Sequence, residues 1–223
     1  MTMNFPSDRE IDIACLGRLA VDLYGEQFGV ALQDTSTFAK YLGGSSANIA
    51  YGTALLGARS AMISRVGDEQ MGEFLLDELK KVGCDTTQVV KDAEHLTGLV
   101  LLSIRDRNQF PLLFYRHDCA DMQLVESDID EDFIARCRAL MITGTHFSTS
   151  TVYAASTRAL RLAKQHGVVR VLDIDYRPVL WGLTGKGEGD NRYIASDAVS
   201  THLQTILPEF ELIIGTEEEW MIA

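Results

Sequence analysis

Gly43-Gly44-Ser45-Ser46-Ala47-Asn48-Ile49-Ala50 joins a glycine pair to a run of small residues, with an amide side chain one helical turn in. Glycines let a ligand approach the backbone closely, and the first N–H groups of a helix have no partner inside it. The stretch opens a helical pattern over residues 45–56, followed at once by a β-forming run over 60–66. By itself it reads equally as an ordinary loop-to-helix junction capped by Ser45. Further runs rich in β-formers lie at 11–16, 98–104, 112–115, 139–143, 168–174 and 211–214, with helical patterns at 71–82, 153–166 and 192–207. Strand-helix alternation favours a parallel sheet with right-handed crossovers, so the expected class is α/β, a mostly parallel sheet flanked by helices. Two regions break the alternation: 17–38, which mixes apolar and polar residues without helical spacing, and 96–116, which reads as a hairpin around Asp106-Arg107-Asn108. Extra strands without helices suggest a flap or lid.

The chain has 223 residues, 46% of them hydrophobic, enough for a substantial core. Twenty Lys and Arg against thirty-two Asp and Glu give a net charge of −12, which argues against a nucleic-acid partner, since phosphate-backbone binding needs clustered positive charge. Residues 1–10 lack the basic-then-apolar order of a secretory signal and no apolar run approaches membrane-spanning length, so no membrane partner and a cytoplasmic location are expected. Cys15, Cys84, Cys119 and Cys137 show no C-x-x-C spacing and suit reduced, buried thiols. The five histidines never fall at i,i+4, which excludes a helical two-histidine metal site.

Residues 182–191 form a glycine-rich loop, yet Lys186 is followed by Gly187 and the phosphate-loop spacing is absent. After the first strand, Gly17 stands alone where a dinucleotide fingerprint needs three glycines. Asp22 follows that strand closely, where a carboxylate in an α/β sheet can bind a pair of hydroxyls; the alternative is a turn aspartate. In Val66-Gly67-Asp68-Glu69-Gln70-Met71-Gly72, Asp68 reads as a helix cap and the glycines as a tight turn.

Gly43-Gly44 with Asn48, Ala50, Ala54 and Leu56-Gly57, then Val66-Gly67-Asp68 and Gly72, resembles the N-terminal signature of the ribokinase-like (PfkB) carbohydrate kinases. The resemblance implies a ribokinase-like fold with a small β lid, strands at about 17–38 and 96–116, over a sugar site lined by Asp22, Gly43, Gly44 and Asn48. Asp173-Ile174-Asp175-Tyr176-Arg177 resembles the family's D-x-N-x-R stretch, with Asp175 where asparagine is usual. Ile213 to Glu219 resembles its N-x-x-E segment, with Thr216 replacing asparagine; there Glu219 would serve ATP binding and organise Mg2+ through water. The competing reading of Glu217, Glu218 and Glu219 is a favourable acidic first helical turn.

Both departures are normal for a subgroup whose likeness is carried by residues 38–50, Tyr115-Arg116-His117-Asp118-Cys119-Ala120-Asp121, Asp175-Tyr176-Arg177-Pro178 and Trp181. That subgroup implies an acidic keto sugar, whose carboxylate Arg116 and Arg177 would grip through paired guanidinium hydrogen bonds. The alternatives are an exposed Arg116, and Arg177 in an ion pair with Asp173 or Asp175. The family's G-A-G-D segment, which carries its aspartate base, is absent from the sequence. The expectation is therefore that residues 1–223 form the N-terminal part of one kinase domain, the C-terminal part of the fold missing and the catalytic base beyond Ala223. Its partners would be a small-molecule sugar acid and ATP, with a homodimer through paired lid strands. A kinase for 2-dehydro-3-deoxygluconate or fructose, or a non-catalytic sugar sensor, is left open.

Overall fold

The computed structural model describes residues 5–106, 110–185, 187–188 and 193–223. Strand β1 (Ile11–Leu16) leads through β2 (Ala20–Gly25) and β3 (Phe38–Gly43) into helix α1 (Ser45–Leu55). Next come β4 (Ser60–Gly67), α2 (Gln70–Lys81) and β5 (Asp85–Asp92), then β6 (Gly98–Leu102) and β7 (Leu112–Tyr115). A short α3 (Glu131–Ala135) precedes β8 (Cys137–Thr143), α4 (Ser150–Gln165) and β9 (Val169–Asp173). The last elements are α5 (Asp197–Ile206), β10 (Leu212–Ile214) and α6 (Glu217–Ile222). Arg107 and Asn108 of the hairpin turn and residue 192 lie outside the described residues; the helix expected from 192 begins at Asp197, where the Ser196 hydroxyl caps it by accepting from Val199 N–H.

Six strands form one sheet in the order β10-β9-β8-β1-β4-β5, and every pairing in it is parallel. Because successive residues of a strand face opposite ways, a sheet covered on both sides must be apolar on both faces. In β1, Ala14 and Leu16 join a core with Phe133, Leu140, Leu160 and Leu203, beneath α3, α4 and α5. Cys15 between them joins another core with Met62, Leu75, Leu79 and Ala50, beneath α1 and α2. Each buried leucine there contributes about 1.5–3 kcal/mol by leaving water.

The other four strands make a second sheet, ordered β3-β2-β6-β7, in which β2 runs antiparallel to β3 and parallel to β6. Leu19 and Val21 tie it to the core under α1 and α2. Of its four strands, β6 and β7 fall within 96–116 and β2 within 17–38, while β3, at 38–43, runs on past 38 into the first glycine of the pair. All four cysteines are buried and free of disulfide bonds. Among the described residues, no helix is long and apolar enough to cross a membrane.

Two helix starts differ from the sequence reading. The residue ahead of α1 is Gly44, which makes no side-chain cap, and the Ser45 hydroxyl turns instead to the Asp175 carboxylate. At α2 the cap is Glu69, whose carboxylate accepts from the N–H groups of Met71 and Gly72, while the exposed Asp68 turns its carboxylate to Lys91 at 3.7 Å and donates its backbone N–H to Asp92 O at 2.8 Å. The longer glutamate reaches back over the first turn, which the aspartate one residue earlier does not.

Candidate active site

Strands β1, β8, β9 and β10 run the same way, so their carboxyl ends share one edge of the sheet, where ligands of open α/β sheets bind. Arg18 follows β1, Thr145 and His146 follow β8, Asp175 follows β9 and Thr216 follows β10. The second sheet rises directly from this edge, because β2 begins two residues after Arg18.

Asp22 lies inside that second sheet, opposite Tyr41 of β3 and beside Val100 of β6. Its carboxylate sits against Gly43, where a Cβ would fall 2.2 Å from Asp22 Cγ, so any larger residue would push the acid away. Gly44 adopts φ +96°, a left-handed conformation that suits glycine, and a Cβ there would lie 2.4 Å from Arg18 O. These constraints set the start of α1, whose Asn48 faces outward in the first turn. Asp22 and Asn48 then border one hollow of about 610 Å³, together with Tyr24, Glu26, Tyr41 and Ile104. An acceptor-only carboxylate beside an amide that donates and accepts suits neighbouring hydroxyls. Burial pushes the Asp22 carboxyl above its ordinary range, and the charges of Arg18 and Arg116 offset part of that.

A second polar group runs along the strand ends. Asp175, 3% exposed and held at φ +36°, accepts from Ser45, pairs with Arg177 at 2.9 Å and lies 3.8 Å from Arg18. An aspartate tolerates this left-handed backbone better than most side chains. Glu219 accepts from the N–H groups of Tyr176 and Thr216, both at 2.9 Å, closing a capping box with Thr216 at the start of α6. Its carboxylate also stands 3.8 Å from Arg177. Asp173 is pushed up to about 6, first by burial and then by the negative charges of Asp175 and Glu219.

Arg116 is buried just beyond β7 and forms an ion pair with the equally buried Asp121. The carbonyl of Asp121 accepts from Nε2 of His146 at 3.0 Å, which leaves His146 Nδ1 without a hydrogen-bond partner among the described residues. Burial, then the charges of Arg116 and Arg18, depress His146 to about 3, so its ring is neutral at ordinary pH.

Of the residues singled out by sequence, the structure places Asp22 and Asn48 on one hollow, with Gly43 packed against the Asp22 carboxylate and Gly44 against the Arg18 carbonyl ahead of α1. Arg116 borders another, of about 510 Å³, with Phe114, His117, Thr149 and Leu180, while Arg177 and Glu219 stay with Asp175 at the strand ends. Sequence reasoning passed over Arg18, Ser45, Asp121 and His146 as parts of this network. The one available signal was position, since Arg18 directly follows a strand and Ser45 directly follows the glycine pair.

A family model described as pfkB family carbohydrate kinase matches residues 10–186. Among curated proteins, a 5-dehydro-2-deoxygluconokinase of Bacillus subtilis is 34% identical over 99% of this chain and 64% of its own length. One of Geobacillus kaustophilus is 37% identical over 97% of this chain and 61% of its own length. The chain thus spans less than two thirds of the length of these relatives. A sugar kinase of Pyrococcus horikoshii, solved in complex with ATP, superposes with a TM-score of 0.77 at 26% identity, covering 90% of this chain and 62% of that one. The two-sheet fold, the matched signature and the identity to these relatives lead to one conclusion: the chain belongs to the pfkB family of carbohydrate kinases.

Proposed function

We propose that this chain forms the sugar-binding portion of an ATP-dependent kinase that converts 5-dehydro-2-deoxygluconate to its 6-phosphate in myo-inositol catabolism. The observation that carries the reading is the convergence of Asp22 and Asn48 on one hollow, with Gly43 keeping space for the carboxylate. The relatives named 5-dehydro-2-deoxygluconokinase support the substrate, and the ATP complex of the Pyrococcus horikoshii kinase supports the phosphoryl donor.

In this reading Asp22 accepts hydrogen bonds from sugar hydroxyls and Asn48 supplies both donor and acceptor, fixing the ring of contacts on which transfer depends. Phosphoryl transfer rests on positioning and charge stabilisation, so holding the sugar in one orientation is a direct contribution to rate. ATP with Mg2+ would supply the phosphoryl group and neutralise the charge that develops on it. Asp173, Asp175 and Glu219 gather at the strand ends, and Asp173 is pushed up to about 6, first by burial and then by the negative charges of the other two. Glu219, its two oxygens each accepting a backbone N–H, would reach Mg2+ through water. The sequence holds no G-A-G-D segment, so this chain by itself is proposed to bind sugar without turning over ATP.

The test is ADP release from ATP and Mg2+ measured beside calorimetric binding, with 5-dehydro-2-deoxygluconate, 2-dehydro-3-deoxygluconate and fructose as ligands. The expected result is saturable binding with preference for 5-dehydro-2-deoxygluconate and no ADP release. Release by this chain would overturn the assignment of transfer to a G-A-G-D segment, and absence of sugar binding would overturn the reading itself.

A further inference from the structure

Three buried or half-buried guanidinium groups meet where the two sheets join, and they are not equally neutralised. Arg116 has Asp121, and Arg177 has Asp175 Oδ1 at 2.9 Å. Among the described residues Arg18 makes one ion pair, with Asp175 Oδ2 at 3.8 Å, beyond hydrogen-bond reach, and that same oxygen already takes the Ser45 hydroxyl and lies 3.5 Å from the Thr145 hydroxyl. Arg18 is 5% exposed, and its Nε, like the guanidinium nitrogens of Arg116, has no hydrogen-bond partner among the described residues; the difference is that Arg116 touches the Asp121 carboxylate, whereas Arg18 stands off from its own. A buried charge without a paired, hydrogen-bonded counter-ion is expensive and persists only where something else compensates it. The face of the Phe114 ring, 5.5 Å from the Arg18 guanidinium, compensates in part.

The backbone of Arg18 is fixed to the sugar site. Its carbonyl packs on Gly44 and accepts from Ala47 N–H at 3.2 Å, which locks it to the first turn of α1 that presents Asn48. Asp22 stands four residues on, and its carboxylate is eased by the charge of Arg18. An anionic group on a ligand whose hydroxyls rest on Asp22 and Asn48 would therefore find its under-neutralised cation in Arg18.

We propose that Arg18 is the residue that selects a carboxylate-bearing sugar, by pairing with the acid group of a ligand bound at Asp22 and Asn48. This rests on the sugar-acid reading given above. Arg116 and Arg177, each already facing a protein carboxylate, then hold the walls of the site in place.

Calorimetric titration of 5-dehydro-2-deoxygluconate and of fructose into the wild-type chain, Arg18→Met, Arg18→Lys and Arg177→Met tests it. Wild type should prefer the acid, and Arg18→Met should lose about 10- to 100-fold in affinity for the acid while fructose binding stays within about twofold, the size of a charged hydrogen-bonded pair. Arg177→Met should leave the acid-to-fructose ratio unchanged. If Arg18→Met keeps the wild-type ratio, or if Arg177→Met abolishes it, the assignment to Arg18 is overturned and the sugar-acid reading survives. If wild type binds fructose as well as the acid, both fall together. Should Arg18→Met fail to show a cooperative melt, Arg18→Lys decides: it keeps the charge but loses the planar fork, so a ratio about tenfold lower supports the proposal and an unchanged ratio overturns it.

Discussion

A methyl group added at Gly43 would sit 2.2 Å from Asp22 Cγ, so Gly43→Ala should displace that carboxylate while leaving the strand pairing of β2 and β3 intact. We expect the variant to lose about tenfold or more in sugar affinity, seen by calorimetric titration, with a cooperative thermal melt retained. His146 gives a pH signature. Its ring is held at about 3 in the fold, by burial and by Arg116 and Arg18, against roughly 6.5 in an unfolded chain. The unfolded state therefore takes up the proton first, and stability that is complete above about pH 6.5 is lost as the pH falls towards 3. His146→Gln removes this component, so its melting temperature should approach that of wild type between pH 7 and pH 5. Sequence singled out Asp22 and Asn48 as hydroxyl-binding side chains near a strand end and a helix start, and the fold sets Asp22 inside β2 and Asn48 in the first turn of α1, both on one hollow. Arg18 was not singled out: a single arginine after a strand reads as a surface residue, and its burial exists only once Phe114, from a strand almost a hundred residues later, covers it.

Glu69 bonds two backbone N–H groups at the start of α2, and Asp68 bonds none of them with its side chain. Glu69→Ala should accordingly cost about 1–2 kcal/mol in urea unfolding, and Asp68→Ala less than about 0.5 kcal/mol. The buried Arg116–Asp121 pair ties the end of β7 to the turn at Ala120–Gln123. Arg116→Met should cost about 3–5 kcal/mol by leaving Asp121 buried and unpaired, and the double variant with Asp121→Leu should recover much of that loss. Helices α2 and α4 were readable because their apolar residues recur at helical spacing, and β1, β4 and β8 as short runs rich in β-formers, buried on both faces; α1 was readable as the run of small residues after the glycine pair. Strand β5, Asp-Thr-Thr-Gln-Val-Val-Lys-Asp, was not, because an edge strand paired only with β4 needs little apolar surface. Strand β3, Phe-Ala-Lys-Tyr-Leu-Gly, was hidden the same way, its partly polar residues belonging to a sheet with one open face.

Alternation of strands and helices was enough to give the α/β class, since a parallel sheet is the arrangement that such alternation favours. The order of strands was not readable, because β1 pairs with β8 across more than a hundred residues of chain, and no local pattern encodes that pairing. The second sheet gathers residues 20–25, 38–43, 98–102 and 112–115, and so the hollow between Asp22 and Asn48 is a property of the folded chain that sequence could only suggest through resemblance. That hollow is where the central claim stands. The measurement that bears on it most directly is calorimetric titration of 5-dehydro-2-deoxygluconate into wild type and Asp22→Ala at pH 7.5. Saturable binding to wild type, weakened about 10- to 100-fold in Asp22→Ala with its thermal melt preserved, is the result expected. Equal affinity in the two proteins would contradict the account, because the sugar would then bind without the carboxylate around which this site is built.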